Sequence, residues 1–259
     1  MSARIGLAQF ITIWNGATMT SVVNPLQVSR FLKVYDDAAA QKGIKLSIGF
    51  DFHEYVSITR NTRTKTLTSP NFRPECAPIK PGEGYWIIGV DKNNETAVLE
   101  AARLYDLSNS NFAEHLESLK AFYADPTLHQ GGQSTCTCVS PTAKRMTGKI
   151  AYQGDLWVRN DFRRQGMPKI MRGIQRGVSL AMWAPQFSCA IVARWTLDKG
   201  VHEVMHHELG GTILVEQEKP QDYWIIWLTG EELRRLVDHH DGAELLAELS
   251  SSSARPDGT

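Results

Sequence analysis

The fold is decided by the stretch Gly154-Asp155-Leu156-Trp157-Val158-Arg159-Asn160-Asp161-Phe162-Arg163-Arg164-Gln165-Gly166-Met167-Pro168, which runs into Lys169-Ile170-Met171-Arg172. Its first part is apolar and predicts a strand, the arginines before Gly166 predict a short turn, and the last part predicts a helix. Where a strand turns into a helix, several free backbone N–H groups converge and the helix dipole adds partial positive charge. The stretch therefore predicts an anion site, most often one for phosphate.

Six basic side chains crowd this segment and would strengthen the positive potential: Arg159, Arg163, Arg164, Lys169, Arg172 and Arg176. The alternative is an ordinary surface turn followed by a solvated basic helix face. Lys+Arg and Asp+Glu both count 28, so no global charge indicates a nucleic-acid partner or an acidic membrane. The basic cluster is a local feature.

The length of 259 residues allows one large domain or two small ones, with a core that needs no cross-links. The cysteines form no paired Cys-x-x-Cys zinc pattern and suit a reduced, cytoplasmic protein; they are Cys76, Cys136, Cys138 and Cys189. The chain has no apolar run of about twenty residues, so we expect no membrane span. We interpret residues 5–14 as a buried N-terminal strand rather than a secretion signal.

Apolar spacing predicts the other elements. Asn24-Pro25 is typical of a helix start and Gly43 of a helix stop. The further predictions are strands at 46–50, 187–194, 212–215 and 223–228, a hairpin over 85–107, and helices at 112–122, 201–209 and 231–249. We expect an N-terminal segment at 1–24, a single domain at 25–249 and a disordered tail at 250–259. Polar insertions without a period predict a long exposed loop at 57–83 and a flexible loop at 126–149.

This order of elements resembles the acyl-CoA N-acyltransferase superfamily, the GNAT fold, over residues 25–232 and most specifically over 154–228. The family's signature at the strand-to-helix turn is Arg/Gln-x-x-Gly-x-Gly/Ala, and the turn here reads Arg163-Arg164-Gln165-Gly166-Met167-Pro168. The resemblance implies an α/β fold with a mixed, mostly antiparallel twisted sheet of about seven strands flanked by helices. It also implies transfer of an acyl group, most simply acetyl, from coenzyme A (CoA) to an amine of a small molecule or peptide.

In that family, backbone N–H groups of the turn hold the pyrophosphate of CoA, and the pantetheine arm runs along the preceding strand, where that strand splays from the next. Carried over residue by residue, the resemblance implies a pantetheine contact for Leu156, Trp157 and Val158, and a phosphate contact for Arg163, Arg164, Gln165, Gly166 and Met167. The glycine lets the backbone approach the phosphates. Pro168 departs from the pattern because it has no N–H to donate. The implied co-substrate is acetyl-CoA or another acyl-CoA.

The family's chemistry needs a neutral amine and a protonated leaving thiol. Relatives often protonate the thiol with a tyrosine in a motif similar to Tyr-x-x-x-Gly-Phe, and His206 stands at that position in His206-His207-Glu208-Leu209-Gly210-Gly211. An imidazole can protonate a thiolate near neutral pH. The alternative for His206 is a histidine that caps helix carbonyl groups. Asp155 and Tyr152 are the nearest candidates for the base.

Residues 202–206 also read His202-Glu203-Val204-Met205-His206, a His-Glu-x-x-His sequence. On a helix, His202 and His206 would share one face and bind one zinc, with Glu203 as the base of a hydrolase. The extended form of the motif fails, so the third ligand would be Glu231 or Glu232. The third alternative is a CoA-binding GNAT-like module without catalysis, because Pro168 and the missing tyrosine depart from the family.

Overall fold

The computed structural model describes residues 5–6, 23–129, 134–200, 205–216 and 219–238. The strands are β1 (Ile5–Gly6), β2 (Lys45–Gly49), β3 (Gly84–Val90), β4 (Thr96–Leu107), β5 (Ser134–Cys136), β6 (Gly148–Val158), β7 (Phe187–Val192), β8 (His206–Val215) and β9 (Gln221–Thr229). The helices are α1 (Pro25–Gln41), α2 (Phe52–Asn61), α3 (Phe112–Glu117), α4 (Met167–Trp183), α5 (Arg194–Asp198) and α6 (Gly230–Asp238).

Within the described residues, nine strands form one sheet in the order β1-β2-β3-β4-β6-β7-β9-β8-β5. Among these strands only β6 and β7 pair in parallel. The predicted α/β class, with a mixed, mostly antiparallel sheet flanked by helices, is confirmed. Strand β1 lies within the N-terminal strand predicted at 5–14, and the short edge strand β5 was not predicted.

The predicted helix after Asn24 and the predicted helix after Gly166 are both confirmed. Asn24 caps α1, since its side chain accepts a hydrogen bond of 3.1 Å from the N–H of Leu26. Helix α1 packs against α4 on one face of the sheet, and Tyr35 contacts Gly173 so closely that a Cβ there would lie 2.2 Å from the ring. None of the described helices is both long and apolar enough to cross a membrane.

Parts of the two segments that were predicted to be loops cover the opposite face of the sheet, so the prediction of exposure is wrong for the buried parts of 57–83. Helix α2 continues to Asn61, and both Asn71 and Phe72 are fully buried. In the second insertion, β5 pairs with β8, and Met146 is buried. Aromatic packing accounts for this, because the ring of Phe72 stacks on that of Phe52 with centroids 6.3 Å apart.

The predicted helix at 201–209 is also wrong over its described part, residues 205–209. Strand β8 begins at His206 and pairs antiparallel with β9. The glycines expected to stop a helix instead form a bulge in β8, where the register shifts between Leu209 and Gly211. A Cβ on Gly210 would lie 2.0 Å from the ring of Tyr223, so a larger residue does not fit.

Several predicted segments lie outside the described residues. They are the N-terminal segment apart from residues 5–6 and 23–24, the positions 201–204, the second half of the helix predicted at 231–249, and the tail at 250–259. The described part of that last helix is α6, which follows β9 directly.

Candidate functional site

A cleft opens where β6 and β7 diverge. Their parallel ladder runs from Ile150 opposite Phe187 to Gln153 opposite Ala190. Strand β6 then continues to Val158 and β7 to Val192 without pairing with each other, which leaves a cleft of about 880 Å³. Strand edges without a partner strand present backbone N–H and C=O groups to whatever enters.

The residues predicted to contact a cofactor divide into two sets. Those that line the cleft are Leu156, Trp157, Val158, Arg163 and Arg164. The other three belong to the turn at the mouth: Gln165 is half-buried, Gly166 caps α4, and the side chain of Met167 is fully buried in the core.

The turn before α4 holds Gly166 in the left-handed region with φ of +75°. The N–H groups of Lys169 and Ile170 both donate to the carbonyl oxygen of Gly166, at 3.0 and 3.2 Å. Pro168 has no N–H, and within the described residues the N–H groups of Gly166 and Met167 donate to no acceptor. The mouth of the cleft therefore offers two backbone donors and the positive end of a helix dipole.

The basic side chains are less concentrated than the sequence suggested. Arg163 and Arg164 line the mouth. Arg159 instead forms ion pairs with Asp91 at 2.6 Å and with Asp161 at 2.8 Å, and hydrogen bonds to these two carboxylates raise its pKa. The predicted alternative of a solvated basic helix face is wrong for α4, because its two interior arginines are each only 7% exposed: Arg172 and Arg176.

Asp155 lies at a bulge of β6, with φ of +59°, where two residues of β6 oppose Glu100 of β4. Both of its carboxylate oxygens have partners: Lys65 Nζ lies 2.8 Å from Oδ1, and the Tyr55 hydroxyl donates to Oδ2 at 2.6 Å. The side chains of Lys65 and Asp155 are only 3% and 7% exposed. Burial raises the pKa of Asp155, and Lys65 opposes that rise.

These contacts bear on the two predicted base candidates. Asp155 lines the cleft, but both oxygens are already engaged by Lys65 and Tyr55. Tyr152 is buried on the face of the sheet that lies opposite α1 and α4, where it packs against Tyr105 and other rings. Burial raises the pKa of Tyr152 well above the usual range. Tyr152 is therefore protonated at neutral pH and cannot accept a proton.

His206 is not at the cleft. It opens β8, which β9 separates from β7. Its Nε2 lies 2.7 Å from the carboxylate of Glu232, and its ring stacks on Trp227 with centroids 5.5 Å apart. Burial would raise the pKa of Glu232, but the hydrogen bonds from His206 and Thr229 outweigh it and lower that pKa.

The zinc hypothesis required His202 and His206 to lie on one helix, and His206 does not lie on a helix. Histidines four residues apart have Cβ atoms about 5–6 Å apart on a helix. Along a strand they would be about 13 Å apart, too far to bind one zinc ion, and His206 lies in a strand. His202 and Glu203 are outside the described residues. Among the described residues, no group of three or more His, Cys, Asp or Glu side chains is arranged to hold a metal.

Four polar residues also line the cleft, namely Glu100, Gln153, Arg172 and Gln175. The sequence reasoning named Arg172 and missed the other three. Glu100 is 5% exposed, and burial raises its pKa to about 8 even though the neighbouring arginines lower it. Gln175 donates to the carbonyl oxygen of Ala101 at 2.9 Å. One signal was present in the sequence: Glu100 is the single charge in the apolar run 97–102.

Helix α5 forms the lip opposite the basic turn, with Trp195, Thr196 and Lys199 lining the cleft. Trp195 is 59% exposed, and Lys199 Nζ lies 5.0 Å from the centre of its ring. The sequence reasoning missed this lip too, because it assigned no element between β7 and residue 201.

No protein-family model matches the chain, and neither does any curated protein sequence. Solved structures do show likeness. The NAA60 protein of Arabidopsis thaliana, solved with acetyl-CoA, is 14% identical at a TM-score of 0.43, over 72% of this chain and 98% of that one. FeeM, an N-acyl amino acid synthase from uncultured soil microbes, is 9% identical at a TM-score of 0.41, over 76% of this chain and 98% of that one.

A GNAT superfamily phosphinothricin acetyltransferase of Sinorhizobium meliloti, in complex with acetyl-CoA, is 10% identical at a TM-score of 0.41, over 72% of this chain and 88% of that one. Because the TM-scores are below 0.5, we base the functional proposal on the geometry of the cleft and not on these likenesses.

Proposed function

We propose that this protein transfers an acyl group from an acyl-CoA to an amine. The observation that carries the proposal is the divergence of β6 and β7 directly in front of the N-terminus of α4. The N–H groups of Gly166 and Met167, together with Arg163 and Arg164, would bind the pyrophosphate. The unpaired strand edges would bind the two amides of pantetheine.

The apolar walls of the cleft suit a thioester. Leu156, Val158 and Ile191 line it, and they would keep water from the acyl group while the amine attacks. In that step a C–N bond forms and the C–S bond breaks, the amine loses a proton, and the thiolate takes one up. We assign Asp155 to holding the bulge of β6, since Lys65 and Tyr55 already occupy its oxygens.

Thermal unfolding with CoA and acetyl-CoA tests the binding step. A ligand that binds only the native state at a hundredfold excess over Kd stabilises it by about 2.7 kcal/mol. Arg164→Glu should weaken binding by about tenfold, the cost of losing one hydrogen bond to a charged group. The control is Arg30→Glu, a charge reversal at an exposed position of α1. If neither CoA nor acetyl-CoA raises the melting temperature at millimolar concentration, the proposal is overturned.

Release of free thiol from acetyl-CoA tests the transfer step and separates an enzyme from a non-catalytic module. We propose small-molecule and peptide amines as the acceptors to be compared. Amine-dependent thiol release at a rate that saturates with both substrates is the expected result. Tight CoA binding without thiol release for any amine in the panel would instead favour the module.

A further inference from the structure

The lip formed by α5 carries an aromatic side chain that is not packed in the hydrophobic cores of the described part of the chain. Trp195 is 59% exposed and belongs to neither hydrophobic core of the described residues. Large aromatic side chains contribute most to stability when buried, so an exposed one beside a cleft indicates a binding role. Lys199 places its ammonium group 5.0 Å from the same ring, and both residues line the cleft.

The lip is held in place by contacts on its other side. Arg194 forms an ion pair with Asp198 at 2.8 Å and lies 4.6 Å from the ring centre of Trp224 in β9. Thr196 donates to the carbonyl oxygen of Ala193 at 2.7 Å. The first and last of these contacts lie within α5 and its N-cap, whereas the contact of Arg194 with Trp224 and the packing of Leu197 against the hydrophobic core hold α5 on the sheet. Trp195 and Lys199 are therefore presented to the cleft by a defined structure.

The ligand proposed for the cleft has an end that fits this lip. CoA ends in an adenine and a ribose 3′-phosphate, which extend beyond the pyrophosphate. An exposed indole offers a flat face for a heterocyclic base, and a lysine offers a compact positive charge for a phosphate. The basic turn with Arg163 and Arg164 and the α5 lip line the same cleft, so one molecule can contact both.

We propose that Trp195 stacks on the adenine of CoA and that Lys199 pairs with its 3′-phosphate. This inference rests on the function proposed above and adds which part of CoA the α5 lip binds. Two probes test these contacts. Dephospho-CoA lacks only the 3′-phosphate, and 4′-phosphopantetheine lacks the adenosine, its 3′-phosphate and one phosphate of the pyrophosphate.

Calorimetric titration of CoA, dephospho-CoA and 4′-phosphopantetheine tests the assignment. Lys199→Ala should lower the affinity for CoA by about fivefold, as expected for the loss of one charged contact near the surface. The affinity for dephospho-CoA should change by less than about twofold. Trp195→Ala should lower the affinities for CoA and dephospho-CoA by about tenfold and leave the affinity for 4′-phosphopantetheine unchanged. Lys199→Arg and Trp195→Phe should keep most of the affinity. Lys80→Ala, at an exposed lysine outside the cleft, is the control.

The outcomes separate this inference from the function on which it rests. If wild-type protein binds none of the three compounds, the proposed function fails and this inference fails with it. If CoA binds and Lys199→Ala weakens CoA and dephospho-CoA equally, the assignment of the 3′-phosphate is wrong. If Trp195→Ala raises only the KM of the amine, the lip belongs to the acceptor and the inference is overturned.

Discussion

Replacement of Glu100 by glutamine should remove a large pH dependence of stability. Burial raises the pKa of Glu100 from 4.5 to about 8 in the native state. Between pH 4.5 and 8 the unfolded chain has therefore released a proton that the native protein keeps. Because the native state binds more protons there, the free energy of unfolding falls as pH rises, by up to about 1.4 kcal/mol per pH unit.

The magnitude follows from the shift. Each pKa unit corresponds to about 1.4 kcal/mol, so the raised pKa of Glu100 costs on the order of 3 kcal/mol at pH 7 and more at pH 8. Below pH 4.5 the cost is absent, because the carboxyl is protonated in both states. A glutamine has nearly the same shape and does not titrate. Glu100→Gln should therefore match the wild type at pH 4.5 and be more stable at pH 8.

Urea unfolding at half-unit steps from pH 4.5 to 8 measures this difference as the free energy extrapolated to water. Glu95→Gln is the matched control, since the Glu95 side chain is 70% exposed. The control should keep the wild-type slope. Equal slopes for Glu100→Gln and the wild type would refute the reasoning, because they would mean that Glu100 is ionised in the native protein at neutral pH.

Three further substitutions test other parts of the structure. Lys65→Met should lower the free energy of unfolding by about 3–5 kcal/mol in urea titrations, because it leaves Asp155 buried without its cation; a loss below about 1 kcal/mol would contradict that pair. His206→Ala should change the rate of thiol release by less than about twofold, because His206 lies outside the cleft, whereas the loss expected for a general acid is about a hundredfold or more. Gly173→Ala should lower the melting temperature through a clash with Tyr35 that costs about 1–3 kcal/mol and exceeds the gain in helix propensity; an unchanged or higher melting temperature would show that α1 shifts at no cost.

The predictions that succeeded depend on interactions between near neighbours in the chain. A cap followed by proline marks α1 at Asn24, because the side chain of that residue bonds to the N–H two residues later. A glycine with positive φ marks the turn before α4 at Gly166. Two apolar runs separated by the polar residues 91–95 predict the hairpin of β3 and β4. Such signals are complete within a few residues, so the sequence alone is enough to read them.

The predictions that failed involved residues whose environment is set by distant parts of the chain. His206 was placed on a helix because the paired glycines looked like a stop, but pairing with β9 makes the segment a strand. The alternative interpretation placed Arg172 on a solvated basic helix face, but Arg172 is only 7% exposed and lines the cleft. Composition indicates exposure only on average, and the packing partner decides the individual case.

The sequence by itself therefore determined the α/β class, the strand–turn–helix at 154–172 and the basic turn at its centre, because periodicity, caps and turn residues act locally. Only the tertiary structure decided which residues meet at the cleft. Lys65 and Asp155 are 90 positions apart and form a buried pair, and Trp195 reaches the cleft because β7 runs parallel to β6 before it diverges. Burial and ion pairing of this kind arise from the register of strands and the packing of helices, which no local pattern encodes.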